Sequence, residues 1–379
     1  MIYLDHNATT PVSKEVLDEM TPFFQDRFGN AASRTHQFGW DADKAVKQSR
    51  NRVASIINAK ADEIIFNSGA TEGINFVIKG VFENYSDKGN HIITVKTEHT
   101  AVLDVCKYLE TKGAEVTYLD VDQDGLINLE DLQNAIKETT ILISVMYANN
   151  ETGVIQDIAQ IGQVARDKDI LFFCDATQAV GKIPVDVVQD NIDILTISSH
   201  KIYGPKGVGG VYVNRRYPKI NLGALIHGGG HEKGYRSGTL NVAGIVGFGK
   251  ACELAKDNLS SYTTSCLELR NQLEQGLLEI EGTEINGHKE KRLPNTINIY
   301  FKGVDAEALI MKVRDKIAIS SGSACTSADV LPSHVLIAMC NSEERAFQSV
   351  RISISCQNLD VNDICGFFID SIQNFRLLS

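Results

Sequence analysis

The stretch Ile170-Leu-Phe-Phe-Cys-Asp-Ala-Thr-Gln178 and the later Ile192-Asp-Ile-Leu-Thr-Ile-Ser-Ser-His-Lys201-Ile-Tyr-Gly-Pro-Lys-Gly207 decide the fold. Each begins with a short apolar run that lacks clean alternation, the pattern of a strand covered on both faces. The first run stops at Asp175; the second ends in two serines, then His200-Lys201 and a Gly/Pro turn. Working outward, similar runs rich in Ile and Val stand at 63–66, 91–95, 115–119, 140–146 and 209–213, with helical patterns such as 156–168 between some of them. That succession is the signature of an α/β fold with a mostly parallel central sheet flanked by crossover helices. In such sheets ligands sit beyond the carboxyl ends of the strands, where Asp175 and Lys201 fall.

Past residue 226 the texture changes. Residues 227–238 are glycine-rich and irregular, one long helical pattern follows over 241–280, and new strand runs stand at 296–300 and 349–355. The expected division is an N-terminal segment, 1–14, packing on the smaller unit; a large ligand-binding domain, 15–255; and a smaller α+β C-terminal domain, 256–379.

Composition narrows the class. Of 379 residues 43% are hydrophobic and 22% charged, which is ordinary for a globular protein. Lys+Arg number 37 against 48 Asp+Glu, a net charge of −11, so there is no basic field for nucleic acid and no direct nucleic-acid binding is expected. Residues 1–15 carry neither the basic nor the apolar region of a secretory signal, and no apolar run approaches a membrane span. A cytoplasmic protein is the expectation. Eight cysteines (106, 174, 252, 266, 325, 340, 356 and 365) form no C-x-x-C pair and read as reduced, mostly buried thiols, with Cys325 set apart.

Several clusters carry chemistry. A lysine at a strand end, as Lys201 is, can form a Schiff base with an aldehyde cofactor if burial lowers its pKa; taken alone, a lysine in a Gly-rich turn is usually a solvated charge. The serines before it can hydrogen-bond a phosphate. Asp175 could hold a pyridinium nitrogen protonated, or could simply cap the following helix. Gln178, one turn on, could reach a ring hydroxyl. Ser68-Gly69-Ala70-Thr71-Glu72 opens a helical pattern after a strand run, which suits a phosphate and equally a plain cap. His99 could stack on a ring, though a lone histidine is more often structural. In Ser320-Ser-Gly-Ser-Ala-Cys325-Thr-Ser-Ala328 a thiol stands among small residues, the composition of a flexible loop. Arg351, inside an apolar run, needs an anion: a substrate carboxylate or an internal Asp or Glu serves equally. The acidic spacing Asp120-x-Asp122-x-Asp124-Gly125-x5-Asp131 nearly matches a calcium loop, but the preceding 114–119 is β-rich where that motif requires a helix, and no metal is expected.

With these residues in view, the chain resembles the class V, fold-type I pyridoxal-phosphate enzymes, and among them the cysteine desulfurases of the nitrogen-fixation and iron–sulfur-cluster type. The matching segments run from Tyr3-Leu-Asp-His-Asn-Ala-Thr-Thr-Pro11 through Gly29-Asn30, Ser68–Glu72, Asn149-Asn150-Glu151-Thr152-Gly153, Asp175–Gln178, Ser198–Gly207 and Arg236-Ser237-Gly238-Thr239-Leu240 to Ser320–Ser327 and Arg351. The resemblance implies pyridoxal 5'-phosphate as cofactor, in Schiff-base linkage to Lys201. It implies Asp175 on the ring nitrogen, His99 stacked on the ring and acting in proton transfer, Gln178 on the phenolic oxygen, and Ala70, Thr71, Ser198 and His200 at the phosphate. Thr239 is implied to reach the phosphate of a partner subunit, hence a homodimer. Asn150 and Arg351 are implied to hold the carboxylate of L-cysteine, and Cys325, on a long mobile loop, to take the sulfur as a persulfide and pass it to an acceptor protein.

Two departures stand out. Ala31 follows Gly29-Asn30 where family members often have proline, a structural position. Relatives that serve a general cluster scaffold have a longer C-terminal tail than one ending at Ser379, which leaves open whether an iron–sulfur scaffold, a tRNA-thiolation protein or a DNA-modification complex receives the sulfur. An aminotransferase or selenocysteine lyase, which has no need of Cys325, and a sulfur-relay protein that has lost catalysis are the competing readings. Retention of both Lys201 and Asp175 speaks against the last.

Overall fold

The structure, a computed structural model, describes residues 1–215, 219–321, 331–356 and 359–378. Its strands are β1 Ile2–Tyr3, β2 Ile64–Asn67, β3 His91–Val95, β4 Glu115–Leu119, β5 Thr140–Ser144, β6 Leu171–Asp175, β7 Ile194–Ser198, β8 Gly209–Val213, β9 Thr283–Ile285, β10 Thr296–Phe301, β11 Ile317–Ala318 and β12 Ser349–Ser353. Seven of them form one sheet in the order β2-β8-β7-β6-β5-β3-β4. The pairs β7–β6, β6–β5, β5–β3 and β3–β4 are parallel, while β8 runs antiparallel to both β7 and β2.

The absence of alternation in the strand runs has a direct cause. On β6, Phe172 and Cys174 join one apolar cluster and Leu171 and Phe173 join another on the opposite face. On β7, Leu195 and Ile197 face the first and Ile194 the second. Helices Ala70–Asn84 and Thr100–Glu110 supply Ile74, Val77, Val102 and Leu109 to the second face; helices Gln37–Ile56 and Val242–Asp257 supply Val46, Val53, Ile245 and Phe248 to the first. Strands sandwiched in this way need apolar residues on both sides.

The antiparallel exception follows from the turn. Ten residues, Ser199 to Val208, join β7 to β8, too few for a crossover helix, so the chain folds back. This connection carries Lys201 and is clamped at both ends by the ladder from Ile194↔Val213 to Ser198↔Gly209. Gly209 is required there, because a Cβ would stand 2.8 Å from the Gly69 Cα and 2.6 Å from the Ile197 carbonyl oxygen. The β2-to-helix turn thereby packs directly against the end of β7.

A three-stranded antiparallel sheet, β12-β10-β9, holds its own cluster of Ile297, Ile299, Phe301, Val350, Ile352 and Phe368. Leu4 joins that cluster, and β1 pairs with β11. From there the N-terminal segment crosses to the large sheet: Asp5 bridges to Ser353, and the Thr10 amide donates to the His200 carbonyl at 3.0 Å.

The single helix expected over 241–280 is in fact two, Val242–Asp257 and Leu259–Leu278. Asn258 ends the first: its amide and its side-chain Nδ2 (2.8 Å) both donate to the Leu254 carbonyl. A short polar side chain offers the backbone a local partner and breaks a helix that apolar periodicity alone would continue. The irregular 227–238 is fastened by Glu232, which is buried, pairs with Arg50 at 2.6 Å and accepts from the Phe66 amide at 2.7 Å.

Candidate active site

A cavity of about 830 Å³ opens at the carboxyl ends of β2, β3, β5, β6 and β7, and β12 closes it from the smaller sheet. It collects Ala70, Thr71, His99, Asn150, Asp175, Gln178, Ser198, His200, Lys201 and Arg351 on one wall system, from positions spread over 282 residues (70 to 351). Thr239 does not line it and is exposed. Cys325 lies outside the described residues.

Lys201 projects from the β7–β8 connection, and its Nζ donates to the carbonyl oxygens of Asn7 at 2.6 Å and Ala8 at 2.7 Å. Two carbonyls do not offset desolvation the way an anion would. Burial, with the nearby Arg351 charge adding to it, draws its pKa down to about 8, against opposing pulls from Asp175 and Asp5. Asp175 is buried at the end of β6, and its Oδ1 accepts from the Thr177 amide at 2.9 Å. No helix follows Asp175 for it to cap; the Thr177 bond closes a local Asx-type turn, and the residue lines the cavity.

His99 is the N-cap of Thr100–Glu110, with its Nδ1 accepting from the Ala101 amide at 3.1 Å. That bond fixes the neutral ring with its proton on Nε2. The protein surroundings lower its pKa, with Lys201 adding and Asp175 opposing. The preceding Glu98 is wholly buried; desolvation and the Asp175 charge raise its pKa far above the carboxylate range. His200 is likewise held neutral, at about 4, by burial and the positive charges of Lys201, Lys206 and Lys182.

Arg351 donates from Nη2 to Asp5 Oδ1 at 2.7 Å and from Nη1 to the Asn150 carbonyl at 3.1 Å, while its buried Nε has no partner among the described residues. An internal acid therefore does pair with this arginine, and it comes from 346 residues away.

The site also holds residues that motif reading passed over. Asn7 is buried and central: its carbonyl accepts from Lys201 and from Gln178 Nε2 (2.9 Å), and its Oδ1 accepts from Lys182 at 3.0 Å. Lys182, fully enclosed, also donates to Gln178 Oε1 at 2.5 Å, and desolvation lowers its pKa far below the lysine range. Because Lys182 takes Oε1, the Gln178 amide must turn its NH2 the other way, toward Asn7. No motif marks Asn7 within the matching segment Tyr3–Pro11, and no local signal marks Lys182.

The residues fit an aromatic aldehyde phosphate. Helix Ala70–Asn84 starts at Gly69 (φ +144°) with no side chain capping it, so its first-turn amides face the cavity beside Ser198 and His200. The Thr177 hydroxyl is buried on the same wall without a partner among the described residues. Lys201 supplies an amine of lowered pKa and Asp175 a carboxylate.

The aminotransferase class-V profile matches residues 2–364. The cysteine desulfurase IscS of Histophilus somni (strain 129Pt) is 51% identical over 382 residues, covering 100% of this chain and 94% of that one. The cysteine desulfurase IscS of Neisseria meningitidis serogroup C / serotype 2a is 52% identical over 93% of this chain and 87% of its own length. Among solved structures, a NifS-like protein superposes with a TM-score of 0.91 at 36% identity over the whole of both chains. SspA in complex with cysteine does so with a TM-score of 0.83 at 37% identity, over 95% of this chain and 100% of that one. The chain belongs to the class-V aminotransferase family, whose members of this kind use pyridoxal phosphate. Within that family it stands with the cysteine desulfurases of the NifS and IscS kind.

Proposed function

We propose that the chain converts L-cysteine to L-alanine, holding the sulfur as a persulfide on Cys325 for a protein acceptor that builds iron–sulfur clusters or other sulfur-containing products. The observation that carries this reading is the convergence of Lys201, its pKa drawn down to about 8, with Asp175 and Arg351 around one cavity. Pyridoxal phosphate, when bound, supplies an electron sink for negative charge at the substrate Cα. Lys201 would be the residue that holds it, and its amine, drawn down to about 8, would remove and return the substrate Cα proton. Asp175 keeps the ring nitrogen protonated. The open amides of Ala70 and Thr71, with Ser198 and His200, would take the phosphate, and the second Gln178 Nε2 hydrogen, not used by Asn7, would serve the phenolic oxygen.

Arg351 and Asn150 orient the substrate carboxylate. Among the described residues Arg351 Nε has no partner, so the Asp5 pair does not use the whole guanidinium. His99, neutral with its proton on Nε2, is placed to donate that proton. Cys325, as thiolate, attacks the substrate sulfur: the new S–S bond forms as the C–S bond breaks, the electron pair left on Cβ takes a proton, and alanine leaves. We further propose that Thr239 completes the phosphate site of a second copy, so that the active form is a homodimer. The organisation 1–14, 15–255 and 256–379 and a cytoplasmic location belong to this reading. No helix among the described residues is long and apolar enough to cross a membrane.

The test is mass analysis of peptides after incubation with L-cysteine, alongside an alanine assay. The wild type is expected to carry a persulfide on Cys325 and to release alanine. Cys325→Ser keeps size but not nucleophilicity, so it should retain the cofactor absorbance and release none. A persulfide on another cysteine, with alanine production near the wild-type rate in Cys325→Ser, overturns the assignment.

A further inference from the structure

Two thiols outside the cavity meet across the fold. Cys266, on helix Leu259–Leu278, is buried; Cys356, just past β12, is exposed; their Sγ atoms are 3.4 Å apart across 90 residues of sequence. The environment makes the pair unequal. The hydrogen bond between the two thiols, in which either can donate, lowers the Cys356 pKa, while that bond and burial push Cys266 up. Cys356 also reaches the Tyr262 carbonyl at 3.5 Å. An exposed thiol of lowered pKa with a second thiol in contact is the arrangement in which oxidation of one is resolved by the other. Shortening the separation to a bond of about 2.05 Å requires a shift of little more than 1 Å. No other described pair of cysteines shows such a contact.

We propose that Cys356 and Cys266 form a redox-active dithiol that hydrogen peroxide converts to an intramolecular disulfide. The Cys356 thiolate attacks one peroxide oxygen; the O–O bond breaks, the departing hydroxide becomes water on taking a proton, and Cys356 is left as the sulfenic acid. The Cys266 sulfur then attacks the Cys356 sulfur, the S–O bond breaks, and the hydroxyl leaves as water with the Cys266 proton. Two thiols lose two electrons and two protons, and one peroxide becomes two waters. The bond ties the end of the strand bearing Arg351 to the helix bearing Tyr262, which with Ser355 holds the Tyr203 hydroxyl two residues from Lys201. Cys325 takes no part, so the inference stands apart from the sulfur-transfer reading.

The reduced wild-type protein is treated briefly with a few equivalents of hydrogen peroxide. Remaining thiols are then alkylated, and the protein is digested without reductant by trypsin and Asp-N, which separates Cys356 from Cys365 at Asp360. The expected product is a linked peptide pair containing Cys266 and Cys356, lighter by two hydrogens than the sum and cleaved by dithiothreitol. In Cys266→Ser the oxidised Cys356 should persist as a sulfenic acid trapped by dimedone. Cys356 joined to Cys325 or to a second chain, or both thiols still free when other cysteines have been oxidised, overturns the proposal; the wild-type map decides even if the variant fails to fold.

Discussion

Lys201 shows what one residue owes to its surroundings. In sequence it is a lysine in a Gly/Pro turn; in the fold its amine is held by two carbonyls, beside an arginine, and titrates near 8 instead of 10.5. On the proposed function, removing it removes both the attachment point and the base. Lys201→Ala is expected to lower turnover by at least the ~10²–10⁴-fold of a lost general base, and borohydride treatment should no longer fix the cofactor to the protein. Reduction that still attached it, at another lysine, would reassign the role. Lys182, only 19 residues earlier, is more deeply buried and could not have been found by motif, because its partners Asn7 and Gln178 are brought to it by packing.

At the scale of elements, local chemistry decides between look-alikes. The acidic spacing over 120–131 follows a strand, Glu115–Leu119, and precedes helix Leu129–Ala135. Its would-be ligands are engaged: Asp122 Oδ1 accepts from the amides of Asp124 (3.0 Å) and Leu126 (2.9 Å), and Asp120 pairs with Lys96 at 2.5 Å. Calorimetric titration with calcium is expected to show no heat of specific binding. Micromolar affinity that vanishes in Asp122→Ala would contradict this. The strands at 91–95, 115–119 and 209–213 were legible to the residue because their apolar runs end abruptly at polar or glycine positions. The break at Asn258 was not, since the apolar pattern continues through it.

At the scale of the whole molecule, two consequences can be measured. If Thr239 serves the partner's site, a mixed dimer of Thr239→Ala and Lys201→Ala chains contains one intact site, built from the first chain's Lys201 and the second chain's Thr239. Co-refolding the two variants, each weakly active or inactive alone, should therefore restore part of the activity; no gain on mixing would place Thr239 outside the site. The second consequence concerns acid. His6 and His200 are both held neutral, at about 4 against an ordinary 6.5, His6 chiefly by burial and the Lys182 charge. Unfolding between pH 6.5 and 4 releases these rings to take up protons that the native state refuses. The contribution is therefore fully present above about 6.5 and lost as pH falls toward 4. The urea midpoint should fall between pH 7 and 5, and His6→Gln should lessen that fall; an unchanged pH dependence in the variant would exclude His6 as a source.

By itself the sequence determined the central sheet and the ends of its strands, because a strand buried on both faces must be apolar throughout and must stop where a polar residue has work to do. Asp175, Ser198 and Lys201 were visible for that reason, and the resemblance supplied the roles proposed for them. The tertiary structure alone decided what meets what: Asp5 with Arg351, Lys182 with Asn7 and Gln178, Cys266 with Cys356, and the antiparallel turn of β8. These contacts join positions up to 346 residues apart, or depend on how many residues a connection spans. They are set by the packing of whole elements, which no local propensity or period records.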